Sequence, residues 1–169
     1  MERYCDPCGD KLKQMKTIKP SAKHRTGAEK RHFVAFWRWD DFHNREDDAA
    51  AYYSNKSLKR MKCGDILWLI TRDEAKQKLH LVEAFTIIGQ KPEFSRNPWR
   101  YGVAGNSLFD QAMKARWLGR DWFPVCSKLV GLKSRPKESN DASHFCQRIQ
   151  TSWEIDQASS ALLHQEASK

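Results

Sequence analysis

Two apolar runs joined by a short polar link dominate the hydrophobic pattern of the chain. The first run is Ile66 to Ile70 and the second is Leu79 to Ile88, with the charged segment 72–78 between them. Runs this short and this rich in branched and aromatic residues are typical of strands, so we predict a β-hairpin. Both strands are nearly all apolar, whereas an open sheet with one wet face would alternate more clearly. The hairpin therefore predicts a closed or nearly closed small barrel with helices against it.

A further strand pattern, RHFVAFWRW, occupies residues 31–39. Side chains on a strand alternate between its two faces. One face would then carry Phe33, Ala35, Trp37 and Trp39, and the other Val34, Phe36 and Arg38.

Weaker patterns complete the predicted order of elements. They predict a helix over 44–61, a loop over 91–106, a helix over 108–118 capped by Ser107, and strands over 122–132 and 145–149. Thr151 and Glu154 have the spacing of a capping box, which predicts a final helix that ends near His164. The predicted fold class is α+β: a small twisted barrel of about five or six strands with flanking helices.

The chain divides by composition into a leader and one domain. Residues 1–30 form a basic N-terminal arm with few apolar residues, and residues 31–169 form the domain. A length of 169 residues is sufficient for one real core.

A net charge of +9 and a pI near 9.4 favour acidic partners. Nucleic acid is the first candidate and an anionic membrane the second, while a basic protein without such a partner stays open. No apolar run reaches the roughly 20 residues of a membrane span, and the charged N-terminus does not resemble a secretory signal.

The five cysteines are odd in number and scattered, which predicts free thiols in the cytoplasm. Cys5 and Cys8 stand in YCDPCG, which has the form of one half of a zinc knuckle. The sequence offers no matching second half, so an unliganded terminus remains the alternative, and we predict no metal and no cofactor.

The seven tryptophans are the main chemical signal. Trp37, Trp39, Trp99 and Trp122 fall where predicted strands end or loops begin, and such positions can line a slot for a flat ligand such as a nucleobase. Ordinary core packing is the alternative, and we assign it first to Trp68 and Trp153.

Polar residues follow the first strand directly. Asp40, Asp41 and Asn44 could read the edge of a base by hydrogen bonds, or one of them could cap the following helix. Enzyme signatures are few, because the sequence has no phosphate-binding glycine loop and no G-x-S-x-G. Glu83 lies inside an apolar strand, and we expect it to pair with an arginine or a lysine.

The order of elements resembles the PUA-like superfamily and, within it, the EVE and YTH-type readers of modified bases. The segments that carry the resemblance are HFVAFWRW, the predicted helix at 44–61, MKCGDILWLIT and HLVEAFTIIG, and the likeness extends over about residues 31–165. The chain departs from the EVE pattern after the first strand, where it has Trp37 to Asp40 in place of lysine and a small residue.

This resemblance implies a pocket between the end of the first strand and the hairpin, where a flipped, methylated or hydroxymethylated base is held. Its ligand-binding residues would be Trp37, Trp39, Asp40, Asn44, Trp99 and Tyr101. The nucleic-acid backbone would be held by Lys56, Lys59, Arg60 and Lys62. Modified DNA is the expected partner ahead of RNA, and the resemblance suggests the specificity part of a modification-dependent restriction system with a separate nuclease.

Two other functions remain open at this point. The related ASCH domains include small hydrolases that act on modified nucleosides, and such an activity would need a lysine beside Glu83. A protein-interaction module that uses the aromatic residues is the other alternative.

Overall fold

The protein is described here from a computed structural model covering residues 30–40, 50–91, 101–131, 141–150 and 152–169. Within these residues the fold is α+β, with one six-stranded mixed sheet and four helices. The strands are β1 (His32–Phe36), β2 (Ala51–Ser54), β3 (Ile66–Asp73), β4 (Lys78–Lys91), β5 (Tyr101–Ser107) and β6 (Trp153–Ile155). The helices are α1 (Gln111–Leu118), α2 (Phe123–Cys126), α3 (Ala142–Ile149) and α4 (Gln157–Ala167).

The strand order in the sheet is β2-β5-β4-β3-β1-β6. Strands β1 and β3 are parallel, and the other neighbouring pairs are antiparallel. Within the described residues β2 and β6 are the edges and no backbone ladder joins them. The sheet is therefore open, and the prediction of a closed barrel was wrong in this respect.

The open sheet is nevertheless strongly curved. Three strands separate β2 from β1, so in a flat sheet these two strands would lie about 19 Å apart at about 4.8 Å per strand. The hydroxyl of Tyr52 on β2 instead donates a hydrogen bond to the carbonyl oxygen of Phe36 on β1, at 3.3 Å. Since a tyrosine side chain cannot span the flat-sheet distance, the sheet must curl so that β2 approaches the end of β1.

The two faces of the sheet carry separate apolar clusters. An inner cluster on the concave face unites β1 to β5 and the segment after β2; it includes Phe33, Ala35, Tyr52, Leu58, Met61, Leu67, Leu69, Val82, Phe85, Ile87 and Val103. An outer cluster joins the other face to all four helices and includes Val34, Trp68, Trp117, Trp122, Val125, Phe145 and Leu163. Both faces of the hairpin are thus covered, and the predicted alternation along β1 is confirmed for Phe33 to Phe36.

Aspartates begin the three longer helices. The side chain of Asp110 accepts from the N–H of Met113 at 2.8 Å, and Asp141 and Asp156 make the same contact three residues ahead at 2.7 Å. An aspartate before the first turn satisfies one of the N–H groups that a helix leaves free. Ser107 is therefore not the cap of α1. The cap of α4 is Asp156 and not Thr151, which lies outside the described residues.

Four weaker predictions were wrong in element type. Residues 51–54 of the predicted helix form β2, and residues 101–107 of the predicted loop form β5. The predicted strand at 145–149 lies in α3, and that at 122–132 contains α2, whose first turn accommodates Pro124. The basic arm lies almost wholly outside the described residues, so its conformation stays a prediction.

Candidate ligand-binding site at the end of strand β1

Two polar side chains are buried side by side near the turn that joins β3 and β4. Thr71 on β3 lies directly opposite His80 on β4 in the antiparallel ladder, so both side chains share a face. Their neighbours Ile70 and Leu81 belong to the outer cluster, which places this pair on the concave face. Thr71 is 0% exposed and His80 is 5% exposed.

The hydroxyl of Thr71 is buried and has no hydrogen-bond partner in the described part of the chain. The ring nitrogens of His80 are buried and make no hydrogen bond of normal geometry there, although the backbone of Arg120 lies near enough to the ring to raise the pKa of His80. Leaving a buried polar group unsatisfied costs about 1–3 kcal/mol. Groups of this kind are rare in folded proteins, and they mark a place where a polar ligand would compensate that cost.

Trp39 covers this pair. Its ring centroid lies 5.5 Å from that of His80, with the two planes tilted by 41°. We call Trp39, Thr71 and His80 the β1-end site, because Trp39 follows the end of β1 by three residues. The site combines an aromatic surface with polar groups beneath it.

His80 is the titratable group of the β1-end site. Burial lowers the pKa of His80, while the carboxylate of Asp73 opposes that effect and raises it. With its pKa below the ordinary value, the imidazole is neutral at pH 7 and offers one donor and one acceptor. Since the hydroxyl of Thr71 also donates and accepts, the site suits a neutral polar edge rather than an ion.

The sequence-predicted ligand residues are distributed as follows. Trp37 and Trp39 are both half-buried, but Trp37 packs against the inner cluster, and its backbone N–H donates to the carbonyl oxygen of Ile70 at 2.8 Å. Asp40 is exposed beside them. Tyr101 opens β5, where it pairs with Ser54, and packs against the same inner cluster. Asn44 and Trp99 lie outside the described residues.

Two other tryptophan assignments are settled by burial. Trp68 is fully buried in the outer cluster, as predicted for a core residue. Trp122 is also fully buried there, so its predicted place in a ligand slot was wrong. Trp153 is half-buried and packs against the same cluster.

The predicted phosphate-binding residues lie at the opposite end of β1. Lys56, Lys59, Arg60 and Lys62 are all exposed. Arg31, just before β1, donates to the carbonyl oxygen of Arg60 at 2.7 Å, which fixes this segment beside the start of the strand. The six steps from Arg31 to Trp37 along the strand span about 20 Å at about 3.3 Å per step. The basic segment and the β1-end site are therefore separated by roughly that distance.

A cleft of about 440 Å³ opens beside the basic segment. It is lined by Lys30, Arg31, His32, Glu154, Ile155, Asp156, Gln157 and Ser160. Charged side chains at this cleft are paired. Arg31 contacts Asp65 at 2.6 Å, and Arg60 contacts Glu154 at 2.8 Å.

The histidine of this cleft, His32, is held neutral. Its Nδ1 accepts a hydrogen bond from the indole N–H of Trp68 at 3.2 Å, and burial together with the nearby His164 lowers the pKa of His32 to about 4. Nothing in the sequence pattern indicated this cleft, because its lining comes from segments about 120 residues apart.

Glu83 pairs with a lysine, as predicted. Its carboxylate is 1% exposed and lies 2.8 Å from the ammonium of Lys114 on α1. The hydroxyl of Ser107 contacts both charged groups. Sequence reasoning missed Ser107 and Lys114, and it also missed Thr71 and His80, although both of these are polar residues within or beside the apolar runs of the hairpin.

No group of three or more His, Cys, Asp and Glu side chains within the described ranges could hold a metal ion. Cys5 and Cys8 lie outside those ranges. Among the helices that the structure describes, none has both the length and the apolar character needed to cross a bilayer.

Comparison with known proteins adds little to this geometry. The sequence matches no protein-family model and no curated protein. A solved structure of a hypothetical protein from Leishmania major is similar over 83% of this chain and 96% of that chain, with a TM-score of 0.46 and 12% identity. A similarity this low carries no argument about family or function.

Proposed function

We propose that the protein is a nucleic-acid-binding module that holds one modified, flipped base at the β1-end site. The observation that carries the proposal is the unpartnered pair Thr71 and His80 beneath the ring of Trp39. A nucleobase is a flat ring with a neutral edge of donors and acceptors, and it matches both parts of this site. The curled sheet, in which β2 approaches the end of β1, is in keeping with a PUA-like fold, which we propose on the same grounds.

The base enters between Trp39 and His80. Two stacked contacts of about 3.5 Å each need roughly 7 Å between the flanking planes, whereas the two centroids are now 5.5 Å apart. Trp39 therefore moves outward when the base binds. Trp39 follows β1 and takes no part in the ladder that fixes Thr71 and His80, so its movement leaves that ladder intact.

A modified base is favoured over a plain one by the apolar surroundings. A methyl group on the base adds apolar surface, which the indole of Trp39 and the neighbouring inner cluster would remove from water. Each Å² of apolar surface removed stabilises the complex by roughly 25 cal/mol. The predicted readers Trp37, Asp40 and Tyr101 would add to this selectivity. Asn44 and Trp99 stay predicted readers outside the described residues.

Phosphates are held at a distance from the base. Lys59 and Lys62 lie about 20 Å from the β1-end site, which corresponds to about six nucleotides at 3.4 Å per step along one strand. The exposed Arg38 lies between Trp37 and Trp39 and is placed for a phosphate next to the flipped base. We propose modified DNA ahead of RNA as the partner, with cleavage left to a separate nuclease.

Binding to a panel of duplexes tests the proposal. The panel contains plain, 5-methyl-cytosine, 5-hydroxymethyl-cytosine and N6-methyl-adenine duplexes, each titrated at two salt concentrations with tryptophan fluorescence as the readout. Trp39→Ala should weaken binding to the preferred modified duplex by about 5- to 150-fold, the equivalent of one stacked base. It should leave the weaker binding to plain duplex nearly unchanged.

Lysine variants give the matched control. Lys59→Ala should weaken binding to modified and plain duplexes equally and reduce the salt slope by about one. Lys128→Ala removes an exposed lysine of the α2 end and should change neither. Equal losses on modified and plain duplexes for Trp39→Ala would contradict the proposal.

A further inference from the structure

A serine, a glutamate and a lysine meet where β4, the end of β5 and α1 come together. The ammonium of Lys114 donates to a carboxylate oxygen of Glu83 and to the hydroxyl oxygen of Ser107, each at 2.8 Å. The hydroxyl of Ser107 donates to the other carboxylate oxygen of Glu83 at 2.5 Å. We infer that Ser107 is a nucleophile that takes an acyl group from small esters or amides, with Glu83 as its base.

Burial differs sharply among the three groups. The side chains of Glu83 and Lys114 are 1% and 9% exposed, whereas Ser107 is an exposed residue. Both charges are thus withdrawn from water, where hydrogen bonds between them and the hydroxyl are stronger than in solvent. The hydroxyl of Ser107 is therefore part-buried against these two charges, on a residue that is exposed to solvent, so a substrate approaches it from the solvent side.

The hydrogen bonds leave the serine oxygen ready to react. A hydroxyl has one proton and two lone pairs. The proton of Ser107 points to Glu83, one lone pair accepts from Lys114, and the second lone pair is left for an electrophile. The 2.5 Å contact is in the range of a charge-assisted O–H···O⁻ bond, so proton transfer to Glu83 needs almost no movement.

The reaction balances with these groups and water alone. The oxygen of Ser107 attacks the acyl carbon, its proton passes to Glu83, and the leaving alcohol or amine departs with that proton. Water then attacks the acyl-serine and gives its proton to Glu83, which returns a proton to the oxygen of Ser107 as the carboxylic acid leaves. Lys114 keeps its charge throughout and positions the other two groups.

We infer a small apolar acyl group as the substrate. The exposed Leu108, which follows Ser107 directly in the chain and is 37% exposed, gives this part of the surface an apolar residue. The same three residue types form the acylation centre of class A β-lactamases. A salt bridge that only fastened α1 to the sheet would not require a hydroxyl between its charges.

Two probes test this inference on the full chain. A fluorophosphonate should form a bond to the oxygen of Ser107 with loss of fluoride, and the label should map to the tryptic peptide 101–114. Release of p-nitrophenolate from p-nitrophenyl acetate should continue beyond one equivalent. Ser107→Ala should abolish the label and reduce release to the rate of the uncatalysed reaction, and Glu83→Gln should slow release by about 10²- to 10⁴-fold.

Matched variants separate chemistry from folding. Ser168→Ala removes another exposed hydroxyl, which donates to the carbonyl oxygen of His164, and should leave labelling and turnover unchanged. Ser107→Thr keeps a hydroxyl and should retain part of the labelling even where Ser107→Ala is unstable by circular dichroism. An unlabelled Ser107 in the unmodified protein, or equal turnover in Ser107→Ala, overturns the inference.

Discussion

Replacing Thr71 by valine should make the folded protein more stable and its binding of the modified duplex weaker. Valine has nearly the shape of threonine, so the change removes a hydroxyl and little else. Thr71 is fully buried and its hydroxyl has no partner within the described residues. A buried hydroxyl that is satisfied stabilises the folded state, whereas an unsatisfied one destabilises it.

The expected magnitudes follow from that difference. An unsatisfied buried polar group costs about 1–3 kcal/mol, so Thr71→Val should raise the free energy of unfolding by about that amount. For a domain of this size each kcal/mol corresponds to a rise in Tm of about 2–4 °C. Loss of one hydrogen bond to a neutral ligand edge should weaken binding of the modified duplex by about 2- to 10-fold.

Urea denaturation and duplex titration measure the two effects on the same preparation. Ser159→Ala is the matched control, since Ser159 is 4% exposed and its hydroxyl accepts from the N–H of Val130 at 2.8 Å. That control should lower the free energy of unfolding by about 1–3 kcal/mol and leave binding unchanged. A Thr71→Val protein that is less stable than the parent would refute the reasoning, because the hydroxyl would then have a partner.

Three further predictions concern the rest of the fold. Glu83→Ala should lower the free energy of unfolding in urea by about 3–5 kcal/mol, because it leaves the charge of Lys114 buried without its partner. Adding Lys114→Met removes that charge and should recover most of the loss. Gly105→Ala should lower Tm, since its Cβ would lie 2.0 Å from a backbone oxygen of β4, while Gly119→Ala, whose nearest atom is at 3.5 Å, should be tolerated. Burial lowers the pKa of His32 to about 4, whereas the imidazole has its ordinary pKa of about 6.5 in the unfolded chain. The unfolded chain therefore binds a proton at higher pH than the folded one, and the free energy of unfolding should fall as the pH drops from about 6.5 to 4. His32→Asn should flatten this dependence in urea titrations at several pH values.

The hairpin and β1 could be predicted because their information is local. Apolar runs of branched residues determine β3 and β4 directly, and period-two alternation assigns the faces of β1. Strands β2 and β5 have no such signal, since AYYS and YGVAGNS are short and carry Ser, Asn or Gly. They are strands because β2 pairs with β5 and β5 pairs in turn with β4, which local composition does not encode.

The candidate groups were harder to predict because they are brought together by topology. Glu83 is 24 residues from Ser107 and 31 from Lys114. The pairing of Glu83 with some cation could be inferred from its apolar neighbours, but the identity of that cation could not. Thr71 and His80 become a pair only through the register of the hairpin.

One of the two irregularities in β4, the one at Val82, lets this strand serve both candidate sites. The ladder pairs Ile70 with Leu81 and Leu69 with Glu83, so Val82 is an extra residue in β4. Before this bulge Leu81 belongs to the outer cluster, and after it Ala84 does, which means the alternation has shifted by one position. A β-bulge re-aims side chains and increases local twist. In a regular strand Glu83 would share the face of Leu81 and meet apolar side chains. The extra residue turns Glu83 out of that register towards Lys114 and leaves His80 opposite Thr71 on the concave face, so deleting Val82 should disrupt both groups at once.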